Sequence, residues 1–206
     1  MVMKVAIHQP EHFPYVGFFQ KMESCDLFVI LDDTQFSKNN FQNRNRFLNK
    51  NGVEEWFTVP VPPNANSQLI NEVVVSSQDQ KWKKKINSKL QQNFGLDLSN
   101  VYESSQKLSE INLNSIEWVR NRLGISTPMV LSSDLKVGGK KSEKLLNICR
   151  EVGAHCYVSG QGGLDYLDRE IFLQSKIELE IFKPNITDYY TTLAHLKTYE
   201  NLRRLP

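Results

Sequence analysis

Short apolar runs alternate along this chain with stretches in which apolar residues recur every three or four positions. Near-continuous apolar runs predict buried strands, and here they fall at residues 4–8, 27–31, 128–133, 155–160 and 177–183. Amphipathic stretches predict helices, and these cover residues 18–26, 80–94, 106–123, 141–153 and 162–175. Because strands and helices alternate, the pattern predicts an α/β fold: a mostly parallel sheet flanked by helices, with Rossmann-like layering.

The centre of the chain departs from this alternation. Residues 32–50 read as irregular, and two strand-like runs follow at 54–61 and 69–75, joined by a segment rich in turn residues. Two such runs predict a hairpin or a small antiparallel excursion. We therefore expect a small β excursion near residues 54–76, beside the main sheet.

The length of 206 residues predicts one domain with a sizeable core. We expect a single domain over 1–206, and the helices in its middle leave open a helical subdomain over 79–124. The polar segment 184–206 shows no clear period and forms a divergent tail.

Composition narrows the class of protein. An apolar content of 40% and a net charge of +2 are ordinary for a globular protein, and give little support to wholesale binding of nucleic acid or membrane. The three cysteines, Cys25, Cys149 and Cys156, are too few for a disulfide scaffold and predict reduced core thiols. Since the chain shows no signal-peptide pattern and no apolar stretch approaching about 18 residues, we expect a cytoplasmic protein without membrane insertion.

Three polar clusters follow predicted strands. In α/β sheets ligands bind outside the carboxyl ends of the strands, so these clusters predict a site there. The clusters are His8, Gln9 and Pro10 after the first strand, Asp32 to Phe36 after the second, and Ser159 to Gly163 after a late one.

The first cluster holds a candidate base. A neutral imidazole on His8 could take a proton from a bound ligand, and the alternative is a structural histidine. His8 and His12 are four residues apart, but Pro10 and Pro14 forbid a helix between them, so helical zinc-ligand geometry fails. We therefore expect no zinc, and His12 is interpreted as a loop or rim residue.

The other two clusters suit anions and their counterions. Asp32 and Asp33 could hold magnesium together with phosphate oxygens, or could form an Asx turn or helix cap. The run Gly160-Gln161-Gly162-Gly163 can direct backbone amides at an anion before a helix, although glycine-rich turns of this kind are common.

The stretch "QFSKNNFQNRNRF" at 35–47 is dense in amides and guanidinium groups, with three phenylalanines between them. Such groups suit a ligand with many oxygens, for example phosphates or a sugar. Alternatively, the phenylalanines pin the segment to the core while its asparagines cap the backbone. Lys140 and Lys141, which follow two glycines and precede a helix, form a second candidate phosphate-facing segment.

The segments "IHQPEHFPYVGFFQKM", "FVILDDTQFSKNNFQNRNRF", "WFTVPV" and "YVSGQGGLDYLD" together resemble the WbqC-like family over roughly residues 4–182. Members of that family tend to lie among bacterial genes for O-antigen and other surface-polysaccharide synthesis. The resemblance matches the family's motifs to the following positions: His8-Gln9-Pro10, Asp32-Asp33, Gln35-Phe36, Gln42-Asn43-Arg44-Asn45, and Ser159 to Leu167.

The resemblance implies a pathway, surface-glycan precursor synthesis, more than a particular reaction, and our leading hypothesis is an enzyme of that pathway. We interpret it as an acyl- or aminoacyltransferase acting on a nucleotide-linked amino sugar, with His8, Asp32 and Asp33 as catalytic residues. The expected substrate-binding residues are Gln9, Gln35, Asn43, Arg44, Asn45, Arg46, Lys140, Lys141, Ser159, Gly160, Gly162, Gly163 and Tyr166.

A second resemblance, of "YVGF" and "KKSEK" to the signatures of adenylate-forming nucleotidyltransferases, leaves ATP and magnesium open as cofactors. The alternative class is a non-catalytic module for a nucleotide, a nucleotide sugar or single-stranded nucleic acid, in which Arg44 and Arg46 bind the ligand. The modest net charge counts against nucleic acid, and the sequence leaves the oligomeric state open.

Overall fold

The computed structural model describes residues 2–75, 81–103, 105–165, 167–186, 188–196 and 198. Its strands are β1 (Lys4–His8), β2 (Leu27–Ile30), β3 (Arg44–Leu48), β4 (Glu54–Thr58), β5 (Met129–Leu131), β6 (Cys156–Gly160) and β7 (Glu178–Phe182). Its α-helices are α1 (Val16–Glu23), α2 (Lys81–Phe94), α3 (Ser99–Glu103), α4 (Leu108–Leu123), α5 (Ser132–Leu135), α6 (Ser142–Glu151) and α7 (Arg169–Gln174).

The chain divides into two compact units. The first comprises Met1–Gln9, Gly17–Asp32 and Ile125–Ile186, and the second comprises Pro10–Val16, Asp33–Gly124 and Thr187–Pro206.

In the first unit, five of the described strands form one sheet in the order β5-β2-β1-β6-β7, with every pair parallel. The α/β fold predicted from the sequence is therefore confirmed. The chain starts in the middle at β1, moves outward through β2 to β5, and then returns to β6 and β7 on the other side. This is the doubly wound order, and its direction reverses between β1 and β6.

Helices cover both faces of this sheet. The even-numbered residues of β1 face α1, where His8 packs edge-on against Phe18. The odd-numbered residues, Val5 and Ile7, face a core built mainly from α6 and α7, which includes Phe172. Burial on both faces explains why these strands read as continuous apolar runs. Cys149 and Cys156 are buried as free thiols, as is Cys25, so the prediction of core thiols is confirmed for their placement.

In the second unit, β3 and β4 form an antiparallel pair that runs from Arg44 opposite Thr58 to Leu48 opposite Glu54. The small β excursion is thus present, but its predicted partner was wrong. Residues 69–75 contain a 3₁₀ turn at Ile70–Glu72, and β3 lies inside the segment that was read as irregular. Inward-facing Asn45 and Phe47 alternate with outward-facing arginines in β3. Strands are predicted from apolar residues at alternate positions, so the asparagine at a buried position hid this strand from the sequence analysis.

Helix ends agree well with the sequence, apart from two corrections. Gly124 ends α4 in the left-handed conformation at φ 65°, which is the usual role of glycine at a helix end. The predicted helix over 162–175 is shorter, because a 3₁₀ turn at Gln161–Asp165 precedes α7. The short helices α3 and α5 were not predicted at all, and α5 begins inside the segment 128–133 that was predicted as a strand.

Candidate functional site

The sheet of the first unit opens at its carboxyl edge between β1 and β6. Strand β1 pairs with β2 as far as His8 opposite Ile30, and β6 pairs with β7 as far as Gly160 opposite Phe182. All residues of β1 and β6 are described, yet their mutual pairing stops at Ala6 and Val158. The last two residues of each strand therefore leave a gap. Because it lies where the strand order reverses, this gap is the position at which doubly wound sheets bind ligands.

His8 stands on one side of the gap. Its Nδ1 lies 3.0 Å from the carbonyl oxygen of Gln9; since a carbonyl only accepts, Nδ1 carries the proton and Nε2 presents a lone pair. Burial, and after it the charge of the Lys21 ammonium, lower the pKa of His8 to about 3. The imidazole is consequently neutral at physiological pH. Among the described residues, none forms a hydrogen bond with Nε2.

Gly160 stands on the other side, and the turn after it is tightly folded. Continuing the β1–β6 register places Gly160 opposite His8 and Ser159 opposite Ile7, so Gly160 shares the face of His8 while Ser159 points to the other face. A Cβ on Gly160 or Gly162 would meet nothing within 4 Å, whereas one on Gly163 would collide with the Ser159 hydroxyl. Tyr166 lies outside the described residues.

Asp32 joins the ends of two neighbouring strands. Its carboxylate accepts hydrogen bonds from the Ser132 hydroxyl at 3.1 Å, the Ser133 amide at 3.0 Å and the Ser133 hydroxyl at 2.8 Å, and only 2% of it is exposed. These bonds cap the start of α5, which agrees with the helix-cap alternative for this residue. Both carboxylate oxygens therefore accept hydrogen bonds from residues of α5. Asp33 belongs to the second unit and is half-buried.

The described residues contain no group of three or more histidine, cysteine, aspartate or glutamate side chains placed to hold a metal ion. Lys140 and Lys141 are exposed and border an open cleft of about 780 Å³ between α6 and α7, on the opposite face of the sheet from His8. The same cleft is lined by Glu143 and Asp168, so its charge is mixed.

Several amides predicted to bind a ligand support the backbone of the second unit instead. Asn43 donates to the Val59 carbonyl and accepts from the Asn39 amide. Asn45, which is fully buried, donates to the carbonyls of His12 and Phe13. Gln35 donates to the Asn66 carbonyl at the surface. Phe36 and Phe47 are buried, so the segment is pinned to the core as the alternative interpretation expected.

The arginines of this segment lie on the outer face of the β3–β4 pair. The Arg44 guanidinium lies 4.3 Å from the centre of the Trp56 ring, and that of Arg46 lies 5.3 Å from it. Arg46 also pairs with Glu54 and approaches Tyr190. Within the described ranges, the guanidinium of Arg44 forms no hydrogen bond or ion pair, and its Nε is buried. We call Arg44, Arg46, Trp56 and Tyr190 the arginine–tryptophan patch.

His12 lies in the loop between β1 and α1, as one part of the interpretation expected, but it is not a rim residue. It is fully buried in the second unit, with its Nε2 3.1 Å from the Tyr102 hydroxyl. Burial lowers the pKa of His12 to about 3. His12 is therefore a neutral core histidine.

Sequence reasoning missed Lys21 and Trp56. Lys21 lies three positions after the buried Phe18 in α1, a spacing that places it on the same face of the helix. Trp56 lies directly opposite Arg46 in the hairpin. Only the pairing of β3 with β4 shows that Trp56 lies beside the arginines.

Comparison with known proteins identifies the family of this chain. The model of the WbqC-like protein family matches residues 9–199, nearly the whole chain, and extends into the segment that we expected to diverge. The chain therefore belongs to the WbqC-like family. It is 32% identical over 191 residues to the mycobacterial "Uncharacterized protein Rv1507c" from Mycobacterium tuberculosis strain H37Rv, covering 87% of this chain and 81% of that protein. No solved structure matches.

None of the helices in the described part of the chain combines the length and the apolar character that crossing a bilayer requires.

Proposed function

We propose that this protein is a transferase of surface-glycan precursor synthesis, which places an acyl or aminoacyl group on the amino group of a nucleotide-linked sugar. The observation that carries the proposal is the gap between β1 and β6 at the reversal point of a doubly wound sheet. His8 flanks this gap on one side, and the turn from Gly160 to Gly163 follows it on the other. Nucleotide ligands commonly bind at such a position, and membership of the WbqC-like family supports the pathway.

In the proposed reaction the sugar amine attacks the carbonyl carbon of an activated acyl thioester or ester. The new amide bond forms, the bond to the donor's sulfur or oxygen breaks, and the amine proton passes through His8 Nε2 to the departing group. The gap holds the nucleotide so that the amine is fixed beside the imidazole, which removes the cost of bringing the reactants together.

The pKa of about 3 sharpens the role of His8. A base of such low pKa is a weak proton acceptor in the free protein. Phosphate groups bound nearby add negative charge, which favours the protonated imidazole and raises its pKa. We therefore propose that His8 is a hydrogen-bond acceptor that orients the amine, and becomes a competent base only when the nucleotide is bound.

A thermal-shift screen of nucleotide-linked amino sugars, with and without magnesium and ATP, tests whether the protein binds such a sugar. A ligand that binds the native state raises the melting temperature. Mass spectrometry after addition of an acyl thioester then detects the acylated sugar. We expect His8→Ala to abolish the product while it keeps the thermal shift. The matched control is His155→Ala, which removes an exposed histidine of the same unit. Wild-type turnover by the His8 variant would refute the catalytic assignment.

A second candidate is supported by the arginine–tryptophan patch. Cationic side chains beside aromatic rings hold single-stranded nucleic acids and nucleotides by stacking and charge. In this alternative the second unit is a binding module without chemistry.

This alternative predicts salt-sensitive binding of a short oligonucleotide, with a steep fall in affinity as the salt concentration rises. Arg44→Ala and Trp56→Ala should both weaken that binding. Arg122→Ala is the control, because Arg122 lies 5.2 Å from the ring of Trp118 on α4 and forms a comparable pair outside the patch. Equal losses in all three variants would count against a specific site at the patch.

A further inference from the structure

At the gap, a buried lysine side chain donates a hydrogen bond to β1 where a neighbouring strand would otherwise do so. Lys21 of α1 is only 3% exposed, and its Nζ donates to the carbonyl oxygen of Ile7 at 2.9 Å. The carbonyl of the next residue, His8, accepts from the Leu31 amide that follows β2. Because successive carbonyls of a strand point to opposite sides, the Ile7 carbonyl points towards β6.

The position of Nζ follows from this direction. Farther down the same side of β1, the Met3 carbonyl accepts from the backbone amides of His155 and Cys156 at the start of β6. Parallel strands repeat this hydrogen bond every second residue, so the amide of Gly160 would be the partner of Ile7 if the pairing continued. Pairing has ended by then, and the Lys21 ammonium occupies that place.

Three features therefore coincide on the face of the sheet that α1 covers. The Lys21 ammonium lies at the end of the β1–β6 pairing, and the His8 imidazole is near enough for the ammonium charge to lower its pKa. Gly160, opposite His8, has open space where a side chain would be. A positive charge removed from bulk water interacts strongly with an anion, because little solvent screens it.

We propose that Lys21 binds the phosphate group of the ligand at the gap between β1 and β6, and that Gly160 is a glycine so that this ligand can lie beside His8. The inference rests on the proposed function only in taking the ligand to be a nucleotide-linked sugar. Phosphate binding at Lys21 itself requires no transfer step. It assigns a binding residue that the sequence motifs did not indicate.

Isothermal titration with inorganic pyrophosphate and with uridine diphosphate tests the proposal. Loss of a charge-assisted hydrogen bond predicts an affinity at least about tenfold lower for Lys21→Met, with Lys21→Arg retaining part of it. Gly160→Leu should abolish binding by filling the space, while Gly138→Leu, at an exposed position of the same unit where a Cβ also meets nothing, should bind as wild type. Acetate serves as the carboxylate comparison and should bind more weakly than pyrophosphate.

Circular dichroism first verifies that each variant is folded. If Lys21→Met does not fold, the NMR signal of the Lys21 ammonium in the wild-type protein is measured instead. This signal should shift when pyrophosphate is added. Unchanged affinity in folded Lys21→Met, an unperturbed ammonium signal at saturation, or undiminished binding by Gly160→Leu would each overturn the proposal. If Lys21-dependent phosphate binding is found but no sugar is acylated, the transferase proposal alone has failed.

Discussion

Ser159 and Gly163 lie so close together that Gly163 has no room for a side chain. A Cβ at position 163 would overlap the Ser159 hydroxyl, while the other nearest atoms would be at ordinary contact distances of 3.5 and 3.8 Å. Ser159 is itself 1% exposed, so it has little freedom to move away. We expect Gly163→Ala to lower the free energy of unfolding by about 1–3 kcal/mol, as overpacking usually does.

The double variant Ser159→Ala/Gly163→Ala tests the cause directly. Removing the hydroxyl removes the overlap, so chemical denaturation should show that the double variant recovers most of the lost stability. If the two losses simply add, the overlap is not the reason for glycine at this position.

Asp32 provides a second prediction about stability. Its carboxylate accepts three hydrogen bonds from Ser132 and Ser133, and removing it leaves these donors without their acceptor. We expect Asp32→Ala to lower the free energy of unfolding by roughly 2 kcal/mol, with a smaller loss for Asp32→Asn, which keeps one acceptor. Denaturant titration measures both. An Asp32→Ala variant as stable as wild type would favour the catalytic role over the structural one.

The central strands β1, β2 and β6 were predictable because they are buried on both faces, and residues 27–31 accordingly form a continuous apolar run. The prediction for residues 69–75 was wrong because the hydrogen-bond partners of this segment are distant in the sequence. Val73 and Val75 are buried and Val74 is exposed, as in a strand, but their backbone bonds go to Gln106 and Leu108. Local pattern indicated an extended chain, whereas the partner came from more than thirty residues away.

Part of the candidate site was predictable from the order of the strands. Strand ends alone place His8, Asp32 and Gly160 at one edge of the sheet, because the strands are parallel neighbours. They do not reveal that pairing stops at Ala6, or that a lysine occupies the next position. A lysine in an amphipathic helix reads as exposed, and only the packing of α1 on the sheet shows that Lys21 is buried.

The buried His12 predicts a pH dependence of stability. Burial keeps it neutral in the folded state down to a pKa of about 3, while in the unfolded chain it takes up a proton near pH 6.5. As the pH falls from about 6.5 towards 3, the unfolded state binds a proton that the folded state does not. The free energy of unfolding therefore decreases by up to about 1.4 kcal/mol per pH unit on account of His12.

His12→Gln isolates this contribution, because glutamine does not titrate and can still accept from Tyr102. Urea unfolding at pH 7, 6, 5 and 4 should give a flatter dependence for the variant than for the wild type. Parallel curves for the two proteins would mean that His12 is protonated in the folded state at the usual pH.

Replacement of Lys21 should change the titration of His8. Burial is the main reason that the pKa of His8 is low, and the Lys21 ammonium lowers it further, so Lys21→Met should raise the pKa of His8. NMR of the imidazole Hε1 signal, assigned with His8→Gln, measures this shift over a pH titration. Lys136→Met removes an exposed charge of the same unit and should leave the His8 titration unchanged. An unaltered pKa in Lys21→Met would show that the ammonium does not act on the imidazole, and an equal rise in both variants would reflect only the change in net charge.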